Sequence, residues 1–272
     1  MKQLNTISDL HTYVSQVRKE GQTVSFVPTM GALHEGHLSL VRAGLECADI
    51  CIPYIFLNPK QFAPHEDLDA YPKTLEADLE KLRQANAPAV YLPRADEIYP
   101  DGFSTSVKVS GITEVLEGEF RPHFFEGVTT IVTKMLLQCL PDIALFGEKD
   151  YQQLLVIKQL ARDLNIPTEI KGMPTARDEN GLALSSRNAY LSKNQLKIAA
   201  RLNKILAGMR PEEDDRETRK KLYVAGFDKV DYCTIRDACT LQLPNANTKH
   251  RRALAAVWIG TTRLIDNMAV SE

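Results

Sequence analysis

The chain has 272 residues, 44% of them hydrophobic and 25% charged, the make-up of an ordinary globular protein with room for two domains. Its net charge of −2 gives no electrostatic case for nucleic acid or an anionic membrane as partner. No apolar run nears the ~20 residues that span a bilayer, the N-terminus lacks a signal peptide's apolar stretch, and Cys47, Cys51, Cys139, Cys233 and Cys239 form no Cys-x-x-Cys pair, so a cytoplasmic chain with reduced thiols is expected.

In chain order, "SDLHTYVSQVRKEGQ" reads as a short helix with a Ser/Asp start and Gly21 as its stop. Val24 to Val27 is a strand, and after a bend Leu38, Val41, Leu45 and Ala48 recur at helical spacing. "DICIPYIFLN" is a second buried strand in which Pro53 predicts a bulge or an unpaired stretch. "TLEADLEKLRQAN" is a helix, "PAVYLP" a third strand and "VTTIVTKMLLQCL" a buried helix. "DIALFG", a helix through "DYQQLLVIKQLARDL" and "TEIKGMP" complete an alternation that predicts an α/β, doubly wound parallel sheet over residues 1–175.

Residues 176–272 read as a smaller α+β domain. "SKNQLKIAARLNKILAGM" opens with a capping box at Ser192 and Gln195. "RPEEDDRETRKKL" reads as a solvated turn and helix with Asp215 and Arg219 spaced for an ion pair. Lys249 to Arg252 reads as a solvated basic turn, and "VDYCTI" and "ALAAVWIG" are strands.

The bend "FVPTMGALHEGHLSLV" places Gly31, Gly36, His34 and His37 where a strand becomes a helix. In open parallel sheets, ligands lie beyond the carboxyl ends of the strands, and a helix's first turn offers N–H groups and a positive dipole end to anions. The two glycines allow close backbone approach and positive φ. Phosphate handling is favoured, while a two-histidine metal site and a buried structural pair stay open, although "HEGH" lacks the His-Glu-x-x-His spacing. "LFGEKDYQQ" repeats the pattern with Lys149 and Asp150 at the junction and Gln153 one turn on, or else it is a helix cap with solvated charges. Ser185, Ser186 and Arg187 supply hydroxyls and a guanidinium suited to triphosphate oxygens, or else a helix cap with a surface charge. Together the three stretches predict ATP along the sheet edge in a cleft between the domains.

The series "VPTMGALHEGH", "NPKQF", "YPKTLEADL", "LEGEFRP", "FGEKDYQQ", "GLALSSRNAYL" and "GTTRLIDN", in this order over nearly the whole chain, resembles the pantothenate synthetase (pantoate–β-alanine ligase) family. The resemblance implies a nucleotidyltransferase-type Rossmann domain with a His-x-Gly-His signature, a C-terminal lid domain and a homodimer formed through the first domain. It also implies condensation of pantoate with β-alanine through a pantoyl adenylate, with ATP as substrate, Mg²⁺ as cofactor, and AMP and pyrophosphate released. The implied ATP site comprises Met30, Gly31, Ala32, Leu33, His34, Glu35, Gly36 and His37, then Gly147, Glu148, Lys149 and Asp150, then Ala176, Leu184, Ser185, Ser186 and Arg187.

Within it, His37, His34, Lys149 and Arg187 are the implied catalytic residues. Gln61 and Gln153 would hold pantoate's oxygens, Pro28, Met30, Phe146 and Ile131 would wall its gem-dimethyl group, and Asn58, Tyr71 and Arg121 would support the mouth. Three departures stand out: Lys60 where the family pattern has methionine, adding charge near the site; His123 one place before the usual histidine, where Phe124 stands; and a short segment from Ala207 to Phe227.

Chemically, pantoate's carboxylate and the α-phosphate are both anions. At ~4 Å and an effective dielectric of ~20 each charge pair repels by about 4 kcal/mol, so Lys149, Arg187 and Mg²⁺ are expected to gather there. A protonated His37 or Lys149 would meet the charge that grows on the leaving pyrophosphate, His34 or His37 could take the amine's proton, and Asp78 or Asp150 are candidates for the metal shell.

Overall fold

The computed structural model describes residues 1–64, 66–211 and 215–270. The chain divides into two compact units, Met1–Glu148 with Gln153–Met173, and Lys149–Gln152 with Pro174–Glu272.

Among the described residues, the first unit holds a six-stranded sheet of β1 (Lys2–Leu4), β2 (Val24–Thr29), β3 (Ile50–Ile55), β4 (Ala89–Tyr91), β5 (Ile143–Gly147) and β6 (Glu169–Met173). The order is β1-β4-β3-β2-β5-β6 and every pairing is parallel. The helices between the strands are α1 (Ile7–Lys19), α2 (Glu35–Cys47), α3 (Leu75–Gln84), α4 (Ala95–Ile98), α5 (Glu117–Phe120), α6 (Phe124–Cys139) and α7 (Tyr151–Asp163). From β2 the chain steps outward through β3 to β4, then returns to the other side of β2 with β5 and β6. The order therefore reverses between β2 and β5, and a doubly wound sheet opens its ligand crevice at the carboxyl ends of such a pair. This α/β architecture is the expected Rossmann-like one.

Packing fixes the two switch-point strands. A Cβ on Gly44 would lie 2.7 Å from Cys51 Sγ and 2.8 Å from Ser25 Oγ, so glycine lets α2 sit flush on β2 and β3. The Asp142 carboxylate accepts the Val24 N–H at 2.6 Å and the Arg18 guanidinium at 2.6 Å, tying the start of β2 to β5. Burial pushes this carboxyl up, but those hydrogen bonds outweigh it and hold it below its ordinary value. Phe26, Tyr54 and Tyr91 form the aromatic centre of the core, with ring centroids 5.4–5.7 Å apart.

Several expectations need correction. The ladder between β2 and β3 runs from Val24↔Ile50 to Thr29↔Ile55 straight through Pro53, with no bulge. In a parallel ladder neighbouring residues face alternate strands, so one missing N–H removes one bond and spares the register. Thr6, not the Ser/Asp pair, caps α1, in a capping box with Asp9. Strand β1 is an addition that the sequence pattern does not predict. Cys51, Cys139 and Cys233 are buried, whereas Cys239 is exposed and Cys47 is half-buried; burial pushes the Cys51 thiol up to about 11.

The second unit carries an antiparallel sheet, β7 (Lys229–Asp237), β8 (Arg251–Ile259) and β9 (Thr262–Val270), in that order. Helices α9 (Arg201–Ala207) and α10 (Asp215–Ala225) cover it through Leu202, Leu206 and Leu222, with α8 (Lys193–Ala199) packed against α9. Ser192 and Gln195 form the expected capping box. Strand β9 is a further addition, and the basic turn is corrected too, because Arg251 and Arg252 begin β8. Arg219 does not turn to Asp215 but donates to the carbonyls of Val230 and Asp231, both at 3.0 Å. The expected charged turn falls at 212–214, outside the described residues.

Candidate active site

The loop after β2 is a strained bend. Gly31 has φ +84° and Ala32, a residue with a Cβ, has φ +50°. Gly36 is instead the second residue of α2. What holds the bend is Asp78 on α3, which is 1% exposed. Its two oxygens accept the N–H groups of Ala32 and Leu33, each at 2.8 Å, and Thr74 Oγ1 donates to it at 3.1 Å. Lys81 Nζ donates to the Leu33 carbonyl at 2.6 Å. The loop amides of Ala32 and Leu33 thus face a carboxylate. Asp78, a candidate for the metal shell, instead anchors the loop.

Both histidines sit at the start of α2. Gly36 N–H donates to His34 Nδ1 at 3.2 Å, and His34 N–H donates to His37 Nδ1 at 3.3 Å. A ring nitrogen that accepts a backbone N–H carries no proton, so each neutral ring bears its proton on Nε2. The rings lie 4.0 Å apart between centroids at one helix N-terminus. The side chains where helices usually carry Ser, Asp or Thr are here imidazoles.

Gln61 lies in the 3-10 turn Pro59–Gln61 that Asn58 caps. Its Nε2 is 2.8 Å from Met30 Sδ, which joins two residues picked for pantoate. Arg121 holds the adjoining loop with a two-pronged bridge to Glu66 (2.6 and 2.7 Å) and a bond to the Gln61 carbonyl at 3.3 Å. Phe124, where the family pattern has histidine, carries the Arg121 guanidinium 3.9 Å over its ring, while His123 is exposed. The Lys60 ammonium sits over the rings of Tyr99 (5.0 Å) and Phe103 (4.7 Å). Phe146 and Ile131 are buried in the main core, Tyr71 is buried, and Pro28 and Gln153 are half-buried.

The second corner follows β5. A Cβ on Gly147 would meet nothing within 4 Å, and its φ is not in the left-handed region, so neither packing nor conformation accounts for a glycine there. Glu148–Asp150 is a 3-10 turn leading into α7. The Lys149 carbonyl accepts Asn267 Nδ2–H at 2.8 Å, Tyr151 OH donates to the Ala238 carbonyl at 2.8 Å, and Arg252 stacks 3.8 Å over the Tyr151 ring. Lys149 Nζ is 4.0 Å from Asp150.

In the second unit, Leu184 N–H donates to the Ala176 carbonyl at 2.9 Å, so those two sequence-picked positions are neighbours. Ser185 caps the 3-10 turn Ser186–Tyr190, its Oγ accepting the Arg187 N–H at 3.3 Å. Asp266, 4% exposed, holds Arg177 at 2.7 and 2.9 Å and steadies the segment in which Arg177 bridges Ala183. Among the described residues no group of three or more His, Cys, Asp or Glu side chains could hold a metal ion, and no helix is long and apolar enough to cross a membrane.

The loop-anchoring role of Asp78 and the part played by Asn267 escape sequence reasoning, which names Asp78 only for the metal shell and Asn58 only as support of the mouth. Asp78 carries a signal: it shares the buried face of α3 with Leu79 and Leu82, and a carboxylate on an apolar stripe needs buried partners.

Comparison with known proteins places this geometry in context. The family model for pantoate-beta-alanine ligase matches residues 2–269. A pantothenate synthetase of Mesorhizobium japonicum is 50% identical over 275 residues, covering 98% of this chain and 97% of its own. The crystal structure of pantothenate synthetase from Thermus thermophilus is similar at TM-score 0.93 and 39% identity, with 100% of both chains covered. A pantoate-beta-alanine ligase from Francisella tularensis, solved as a complex with beta-gamma ATP and beta-alanine, matches at TM-score 0.87 and 36% identity, covering 99% of this chain and 97% of that one.

Proposed function

The chain belongs to the pantoate–β-alanine ligase family, and from that premise we propose how its own residues carry the reaction. It is a ligase that condenses pantoate with β-alanine at the expense of ATP. In the proposed route, a pantoate carboxylate oxygen attacks the α-phosphorus of ATP, the bond to the β-phosphate breaks, and pyrophosphate leaves. The β-alanine amine then attacks the acyl carbon of pantoyl adenylate, AMP departs with the bonding pair, and the amine loses its proton.

The observation that carries this assignment is the pair of imidazoles at the start of α2. With both Nδ1 atoms tied to backbone N–H groups, His34 and His37 act as neutral Nε2–H donors to phosphate oxygens, aided by the helix dipole. The cationic role then falls to Lys149 and Arg187, because a doubly protonated His37 would have to give up its bond to the His34 N–H. Gly147 leaves bare backbone where a nucleotide can lie against the strand end. Gln61 and Gln153 bind pantoate's oxygens, and Met30, Pro28, Phe146 and Ile131 bound its methyl groups.

A Mg²⁺ brought by ATP would neutralise phosphate charge here and would need few protein ligands. Asp150 is the carboxylate left for it, since Asp78 is engaged with the loop. The second unit acts as a lid that keeps water from the adenylate through Ser185, Ser186 and Arg187. The enzyme works in the cytoplasm as a homodimer formed through the first unit.

An assay of AMP release, run with each substrate omitted in turn, tests the proposal. AMP should accumulate only with ATP, pantoate and β-alanine together, while pyrophosphate should appear in a single burst without β-alanine. Release of AMP independent of pantoate would overturn it.

A further inference from the structure

Around Gln61, a short chain of hydrogen bonds has a determined direction. Asn58, 1% exposed, donates through Nδ2 to the Gly127 carbonyl at 3.2 Å. A carbonyl can only accept, so this bond decides which end of the Asn58 amide is nitrogen. The opposite end, Oδ1, accepts Tyr99 OH at 2.8 Å and the Lys60 N–H at 3.3 Å. Burial pushes the Tyr99 phenol up, which keeps it a donor. With its polarity settled, Asn58 Nδ2 also donates to Gln61 Oε1 at 3.0 Å. The Gln61 oxygen is thereby engaged, and its NH₂ is the end that lies 2.8 Å from Met30 Sδ.

Two residues outside the motifs make the chain possible. A Cβ on Gly127 would fall 2.2 Å from the Lys60 carbonyl oxygen and 2.7 Å from the Gln61 nitrogen, so glycine alone lets α6 press its backbone against the Gln61 turn. The Tyr99 ring is in turn held under the Lys60 ammonium and against Phe103, whose centroid is 5.1 Å away.

We infer that Tyr99 and Gly127 are positioning residues for pantoate: acting through Asn58, they hold the Gln61 carboxamide with its NH₂ end toward Met30, so that it donates to the substrate and does not accept from it. The inference rests on the reading that Gln61 binds pantoate. The substrate atom met by Gln61 is then an acceptor oxygen, and an analogue bearing an ammonium group at that place is rejected.

Steady-state kinetics of the full-length chain test this. Tyr99→Phe keeps the ring and deletes one buried hydrogen bond, so the pantoate KM should rise about fivefold, with the ATP and β-alanine KM values and kcat within about twofold. Asn58→Asp replaces the donor by an acceptor and turns the Gln61 amide around; it should raise the pantoate KM as far as Gln61→Ala does. In the double variant Tyr99→Phe/Gln61→Ala the effect should not exceed that of Gln61→Ala alone, because Tyr99 has nothing left to orient.

A pantoate KM unchanged in Tyr99→Phe, an equal rise in all three KM values, or additive effects in the double variant would overturn the inference. Gln61→Ala with an unchanged pantoate KM would overturn the pantoate role of Gln61, and the inference with it.

Discussion

At the end of β2 the loop Gly31–Leu33 hangs from the buried carboxylate of Asp78, a residue of the first unit; at the end of β5 the Lys149 peptide hangs from the carboxamide of Asn267, a residue of the second unit. The two corners share one local grammar of strand, glycine, polar residues and helix, yet their anchors differ in charge and in origin. The first is held by two bonds to an ionised group, and such bonds are roughly twice as strong as neutral ones. The second is held by a neutral amide reaching from β9. The imidazole donors are therefore preset by the first unit, while the placing of Lys149 depends on the integrity of the second.

Removing a donor from either corner gives the largest expected effect. His37→Ala and Lys149→Ala should each slow pantoate-dependent pyrophosphate release by about 10²–10³-fold in rapid-quench experiments, the loss typical of one preorganised donor. Near-parental rates in both variants would detach the corners from the chemistry altogether.

The anchors come next and should separate the two corners. Asp78→Asn leaves a loop N–H facing another donor and should lower stability by about 2–3 kcal/mol in urea titrations, with slower pyrophosphate release because both imidazoles shift. Asn267→Ala should cost only about 1 kcal/mol and slow the same step less, without altering binding of pantoate. Equal losses in the two variants would erase the distinction between a charged and a neutral anchor.

A smaller effect sharpens the comparison by acid. Asp231 of the second unit is 2% exposed at its side chain, and Arg263, Lys229 and Trp258 all donate to it. Burial raises its carboxyl, but these bonds outweigh burial and leave it below its ordinary value. A lowered carboxyl stabilises the fold fully above its unfolded value of about 3.9 and loses that contribution as pH falls toward the folded one. Asp231→Asn should thus be less stable than the parent at neutral pH, with the gap closing below about pH 4. A constant gap across that range would exclude the carboxylate as its source. Smallest of all, Lys60→Met should leave the pantoate KM within about twofold, since an exposed-type cation–π contact contributes only about 0.5–1 kcal/mol; a larger change would bring Lys60 back to the substrate.

Much of this is legible in the residues. Alternating apolar runs and helical periods point to the parallel sheet, and the glycine-rich junctions mark both corners, because these are local patterns. The motifs shared with the ligase family add the reaction. Strand β1 is invisible because Lys2–Leu4 is three residues long, too short to show a period, and owes its form to pairing with β4. Pro53 misleads because strand rules describe averages, whereas one parallel ladder can lose a single bond and keep its register. The Asp78 clamp joins residues 45 and 46 positions apart, and the orientation of Gln61 depends on a carbonyl 69 residues from Asn58. Neither leaves a periodic trace, so packing alone reveals them.

The imidazole caps of α2 have one more consequence. Each ring that caps the first turn of α2 is also one proposed above to meet the nucleotide's phosphates. The bonds that hold the helix start also aim the rings, so an alanine at either position removes a cap along with an imidazole.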